Sequence, residues 1–316
     1  MFKSTKGLLV RDWKQDTISL IQFPRLKCIP SGSMFALKLE TWLRFTKLNY
    51  VNVSNDFTNG SAKGQVPFIE LNGRQFANSN HIIEHLIQHY NLPIDRSMTT
   101  RERAEARAIT LLVEESLARV IMYDRSRNIK WMFTADKGTL DNLNGVKKTL
   151  IQHAGPVKIQ YNLKKTLHAQ GIGRNTPEEV DEIAKKDLAA LSVFLGEKRY
   201  FFGDKPTTVI NIPNNSNFPF LSQLDATVFG TLAQIVFTPL NSDKIKAFME
   251  ASTPNLMEFV QRIKNDYWPD WTKICETLEL NAHIPAPAQA PGASSHGIAG
   301  VQPSAESVLH ATASSQ

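Results

Sequence analysis

The sequence predicts an α+β fold, a small mixed domain followed by a helical one. Three observations predict it. Strand and helix signals alternate over residues 17–90, strand signals stop at Pro93, and 316 residues suffice for two domains. A composition of 42% hydrophobic and 21% charged residues excludes a wholly disordered or fibrous chain. No apolar run reaches the roughly 18 residues that a transmembrane helix needs. Gly7-Leu8-Leu9-Val10 is too short for the apolar core of a signal peptide. Residues 1–16 are read as a lead segment, 17–95 as the mixed domain and 96–283 as the helical domain.

Within the first domain, Thr17–Phe23 is a β-rich run closed by Pro24. From Ser33 to Leu48, Phe35, Leu37, Leu39, Trp42, Leu43 and Phe45 predict a largely buried helix. Residues 49–53 alternate as a strand, and 66–71 form another that ends at the turn pair Asn72-Gly73. Arg74–Ala77 returns as the hairpin partner, and Ile82, Ile83, Leu86, Ile87 and Tyr90 mark a helix face. An irregular helix is expected around 56–64.

After Pro93 the reading is helical. Thr99 and Glu102 form a capping box that opens a helix to about residue 128. Residues 146–169 are helical, with a kink or break expected at Gly155-Pro156. Thr176-Pro177-Glu178-Glu179 starts a helix that Gly196 closes, and 224–237, 243–251 and 253–265 complete the domain. Residues 284–316, rich in Ala, Pro, Ser, Gly and Gln, read as a disordered tail.

Lys+Arg total 36 and Asp+Glu 30, a net charge of +6. Lys147, Lys148, Lys158, Lys164, Lys165 and Arg174 alone supply that excess, with no acidic residue between 142 and 177. Such a surface attracts anionic membranes or acidic ligands; a nucleic-acid partner is not expected, because aromatic side chains do not interleave. Two cysteines, Cys28 and Cys275, cannot build a disulfide framework or a four-thiolate zinc site, which points to a reducing compartment, the cytoplasm. His81, His85 and His89 recur along one helix but lack a thiol or acidic partner in a ligand motif beyond Glu84, so no metal is expected.

The segments LIQFPR (20–25), LKLETWLR (37–44), GQVPFIELNG (64–73), YFFGDKPTT (200–208), LDATVFG (224–230) and YWPDW (267–271) carry a family likeness. Together they resemble the glutathione S-transferase superfamily, and within it the failed-axon-connections branch close to the metaxins. The resemblance spans about 17–275. It implies a thioredoxin-like N-terminal domain followed by an all-helical glutathione S-transferase C-terminal-like domain.

It also implies a glutathione site. Pro67 would follow a cis bond, leaving the Val66 backbone to pair with the tripeptide. Ser79, after Asn78, would sit at a helix start that favours the γ-glutamyl carboxylate; an ordinary cap is the alternative role. The thiolate-stabilising position falls on Ser33, the N-cap of the first helix, with Ser31 close by. No tyrosine precedes Tyr50, so a tyrosine-type site is excluded. Cys28 lies too far before the cap to gain from the helix dipole.

Residues 209–223 interrupt the family pattern and read as an insertion or a retained short intron. Without them Thr207 would cap the next helix and Asp225 would bond back to it. Two functions follow from the resemblance: an interaction or adaptor protein of axon development with residual glutathione binding, or a transferase conjugating glutathione to hydrophobic electrophiles. The implied partners are glutathione, a protein partner or a second copy of the chain, and anionic membrane through 147–174. The mitochondrial outer surface is the alternative location.

Overall fold

The structure, a computed structural model, describes residues 3–4, 7–96, 98–142, 145–202 and 222–284. Its sheet is built around β2 (Ile18–Gln22), buried along its whole length. Helix α1 (Met34–Thr46) follows, then β3 (Tyr50–Ser54), β5 (Phe68–Leu71), β6 (Arg74–Ala77) and α2 (Ser79–His89). The strand order is β3-β2-β5-β6, with β2 parallel to β3 and antiparallel to β5. Two positive φ values, at Asn72 (48°) and Gly73 (75°), close the β5–β6 hairpin as the Asn-Gly pair predicts.

Period-two alternation sorts the strands into two faces. Ile18, Leu20, Ile69 and Leu71 join α1 and α2 in the core. The opposite face carries Ser19 and Glu70, and the Glu70 carboxylate accepts hydrogen bonds from the backbone N–H groups of Leu9 and Val10 at 2.9 Å each. The lead segment is thereby tied to the sheet. No helix forms at 56–64; that stretch turns, and its residues Asn59–Gly60 (β4) pair in parallel with Lys3–Ser4 (β1). Positive φ at Asp56 and Phe57 is incompatible with helix there.

Among the described residues no strand follows Ala77. Helix α3 (Thr100–Leu111) begins at the Thr99–Glu102 capping box and runs through a π-helical turn, Leu112–Leu117, into α4 (Ala118–Arg127). Helix α5 (Gly145–Gln170) is continuous, with Pro156 inside it rather than at a break. A proline removes one donor, and the neighbouring bonds of a long helix carry the chain past it. Helices α6 (Pro177–Leu195), α7 (Gln223–Phe237), α8 (Lys244–Ser252), α9 (Pro254–Tyr267) and α10 (Trp271–Thr277) complete the order; α10 was not foreseen.

Helix α7 is the buried axle of the helical part. It packs on α1, and the contact depends on Gly230: a Cβ there would lie 2.6 Å from the Met34 carbonyl oxygen and 2.8 Å from the Lys38 nitrogen. Only glycine lets the two backbones approach so closely. Ser222 caps α7, donating to and accepting from Asp225 through its hydroxyl, while the Ser222 N–H also donates to Asp225 at 2.8 Å. The cap expected at Thr207 is therefore Ser222. The chain as it stands already holds a hydroxyl three residues before Asp225, so the box closes without removing anything. Thr207 and residues 209–221 lie outside the described residues, as does the tail 285–316.

Candidate functional site at the sheet end

Strand register decides which predicted residues can meet. Ile21 pairs with Phe68, and Phe68 with Ala77. The next positions along these strands, Gln22, Pro67 and Asn78, therefore continue past the same end of the sheet, where α2 starts. The loop from β2 to α1 leaves from that end too. The Val66–Pro67 bond is cis. Ser33, Val66, Pro67, Asn78 and Ser79 are thus assembled along one edge by three separate elements.

Each helix start on that edge is capped by the chain itself. Ser33, half-buried, accepts the Ala36 N–H through its hydroxyl at 3.3 Å, and its own N–H donates to the Ser31 hydroxyl at 3.4 Å. Ser31 is completely buried, and its carbonyl accepts from Gln234. On α2 the N-cap is Asn78, not Ser79. The Asn78 side-chain oxygen takes the N–H groups of Asn80 (3.0 Å) and His81 (3.4 Å), and its φ of 77° is one that few non-glycine residues adopt. Ser79 is the first helical residue and is buried. An asparagine is short enough to fold back onto the turn it precedes.

The thiols here are poorly suited to ionise. Burial pushes Cys28 up to about 11, outweighing the nearby Arg125 and Lys137, and Cys275 up to about 12. Both border a cavity of about 520 Å³ shared with Trp271 and Glu276.

Sequence reasoning missed the ionic groups behind this edge. Lys38, on α1, is 1% exposed; its ammonium donates to Glu114 at 2.7 Å and to Asn80 at 2.5 Å. Asn80 returns an amide bond to Glu114 at 2.7 Å and accepts one from Gln223. Burial pulls the Lys38 pKa down while Glu114 opposes the shift. Glu114 lies within the π-helical turn Leu112–Leu117. Asn80 and Gln223 also line a cavity of about 330 Å³ with Glu84, Asp95, Arg103 and Thr110. Burial and the Asp225 charge push Asp95 up to about 6.

A second network lies deeper. Arg25 and Glu40, both 0% exposed, form a bidentate pair at 2.7 and 2.8 Å, and Gln22 and Asn52 donate to the same carboxylate. Arg25 and Asn52 also donate to the Leu280 carbonyl, and Asn281 exchanges two hydrogen bonds with the Asn52 backbone on β3. The signal was available: Lys38 and Glu40 are charges set among the apolar residues of a helix that is buried on nearly all sides, with Arg44 a third charge one turn after Glu40.

Among the described residues no group of three or more His, Cys, Asp or Glu is placed to hold a metal ion. His85 stacks on Phe76 at 4.0 Å and on His89 at 5.8 Å, so two of the three histidines form a short ladder of rings. Burial and the His89 charge lower the His85 pKa.

The comparisons agree with this architecture. Residues 34–131 match the glutathione S-transferase N-terminal domain, and residues 184–209 and 219–263 match the glutathione S-transferase C-terminal domain. The second match breaks inside the 209–223 segment. The chain is 36% identical over 284 residues to Failed axon connections of Drosophila melanogaster, covering 87% of this chain and 64% of that protein's length. It is 28% identical over 215 residues to Metaxin-2 of Mus musculus, covering 67% and 73% respectively. Among solved structures, the beta-etherase LigF of a Sphingobium strain superposes with a TM-score of 0.52 at 17% identity, over 83% of this chain and 99% of LigF, which bears on the fold alone.

Proposed function

The chain belongs to the glutathione S-transferase superfamily, in the branch of Failed axon connections and the metaxins, and from that premise we propose that it is an interaction or adaptor protein which retains glutathione affinity without strong catalysis. The observation that carries the proposal is that both helix starts on the candidate edge are occupied by the chain's own caps. Conjugation requires a group that holds glutathione as a thiolate, in a field that lowers the thiol pKa. Ser33 is the residue at that place; its oxygen serves as the cap of α1, accepting the Ala36 N–H, and only its O–H is left to donate to a thiolate. The first-turn N–H groups of Asn80 and His81, which would otherwise favour a carboxylate, are turned onto Asn78.

In this reading Val66 and Pro67 supply a short backbone edge to the tripeptide, and the Ser79 hydroxyl, rather than the N–H groups held by Asn78, meets its carboxylate end. Protein partners dock on the scaffold, a second copy among them, and the protein works at the cytoplasmic side, with the mitochondrial outer surface as one such place. The named relative is longer than this chain, so these partners and places are part of the proposal.

The experiment is a thermal melt with and without glutathione, run beside a conjugation assay with a chlorodinitroarene. Ligand at 100 times its dissociation constant adds about 2.7 kcal/mol, which raises the melting temperature by several degrees in a domain pair of this size. The expected outcome is a measurable upward shift with conjugation no faster than the uncatalysed reaction. Enzyme-dependent turnover proportional to protein concentration overturns the adaptor reading in favour of the transferase. A flat melt overturns the glutathione site.

A further inference from the structure

The outward face of α5 carries chemistry that the sheet-end site does not use. Leu150, Val157 and Tyr161 are 64%, 64% and 68% exposed. Their spacing, seven residues and then four, puts them on one line along the helix, since 3.6 residues make a turn and such intervals return to the same side. At about 1.5 Å per residue the line is roughly 16 Å long. Lys158, Lys164 and Lys165 flank it and are exposed. No ion pair holds any of the three among the described residues. The inner side of α5 is committed elsewhere: Leu167 and Pro156 are buried, and Gln160 donates to the Arg127 carbonyl on α4.

We propose that α5 lies flat on an anionic phospholipid surface, with Leu150, Val157 and Tyr161 entering the headgroup boundary and Lys158, Lys164 and Lys165 meeting the phosphates. Two features select this occupant. Charge comes first: from 142 to 177 the chain carries six basic and no acidic residues, a field complementary to an anionic leaflet. A second copy packed face to face would set these lysines against their equivalents. Shape is second. A nucleic-acid backbone rewards the lysines and offers nothing to Leu150 or Val157. A lipid interface accepts a convex apolar line bordered by cations, whose stems reach out to the headgroups while their charges stay wet. The surface lies on a different helix from the glutathione edge, and its failure leaves that reading untouched.

The test is co-sedimentation of the full chain with phosphatidylcholine vesicles, with and without phosphatidylserine. The expected result is binding to the anionic vesicles alone. It weakens as salt rises, because the Debye length shrinks from about 30 Å at 0.01 M to about 8 Å at 0.15 M. Lys158→Gln, Lys164→Gln and Lys165→Gln combined should weaken it about a hundredfold, each lysine contributing roughly a fivefold factor. Leu150→Ser, Val157→Ser and Tyr161→Ser combined should keep part of the low-salt binding and lose the part that persists at 0.15 M. All six side chains are exposed, so melting temperatures should match wild type. Wild-type protein left in the supernatant with anionic vesicles at low salt overturns the proposal. So does the lysine variant sedimenting like wild type. Wild type that binds polyuridylate, or dimerises, while ignoring vesicles assigns the face to that partner and equally overturns it.

Discussion

At the sheet end, Ser33 and Asn78 stand at the starts of α1 and α2, half-buried and exposed respectively, each bonded to neighbours within three residues. Behind them, Arg25 and Glu40 are fully buried and pair across 15 residues, and Arg25 also donates to the Leu280 carbonyl 255 residues away. The outer residues make local, weak bonds and keep their polar groups near solvent. The inner ones make long-range, charge-assisted bonds where water cannot compensate a loss. The strongest polar chemistry of this chain therefore holds its parts together, while the edge where a ligand would bind is self-contained.

Breaking the inner network should produce the largest effect. Glu40→Gln leaves Arg25 charged and without its counterion in a dry site, which costs about 3–5 kcal/mol. Chemical denaturation should show the midpoint falling steeply; a loss below about 1 kcal/mol would place Arg25 in contact with water.

The same carboxylate gives a pH signature. Burial raises the Glu40 pKa, but the guanidinium groups of Arg25 and Arg44 outweigh it and hold it well below the usual carboxylate range. A depressed folded pKa means stability that is present above the unfolded value, about 4.3, and lost as pH falls from there toward the folded value. Wild type should lose this increment in acid and Glu40→Gln should not have it to lose. The difference between their stability–pH curves isolates this group from the half-buried Asp95 and the buried Asp225, whose shifts run the other way.

Asp225→Ala tests an intermediate case, a local cap that is nonetheless buried. It strands the N–H groups of Ser222 and Phe201, which Asp225 accepts at 2.8 and 2.9 Å. The expected loss is about 2 kcal/mol, read from the melting curve. Ser33→Ala should have the smallest effect, about 1 kcal/mol, as the loss of an ordinary N-cap. Under the adaptor reading the glutathione-induced melting shift survives it. Loss of that shift with unchanged stability would make Ser33 a ligand-binding residue rather than a cap, and would bring the two regions into one functional site.

The parts of the molecule legible in the sequence are those set by short-range physics. Strand alternation, the Asn72-Gly73 turn and the capping boxes at Thr99 and Thr176 are each fixed by side chains within a few residues, so their positions were read nearly to the residue. The segments that carry the family likeness were legible too, and it was the likeness, not local physics, that picked out Ser33, Val66, Pro67, Asn78 and Ser79. Tertiary structure decided the rest. A charge such as Lys38 or Glu40 reads as a solvated position until a partner 76 or 15 residues away is brought to it. The choice of Asn78 over Ser79 as cap turned on a backbone angle that the strand–helix junction imposes. The need for glycine at 230 arises only where α7 presses on α1. Local sequence specifies conformation because its energies act within a turn or a hairpin; burial and long-range pairing exist only once the chain has closed on itself.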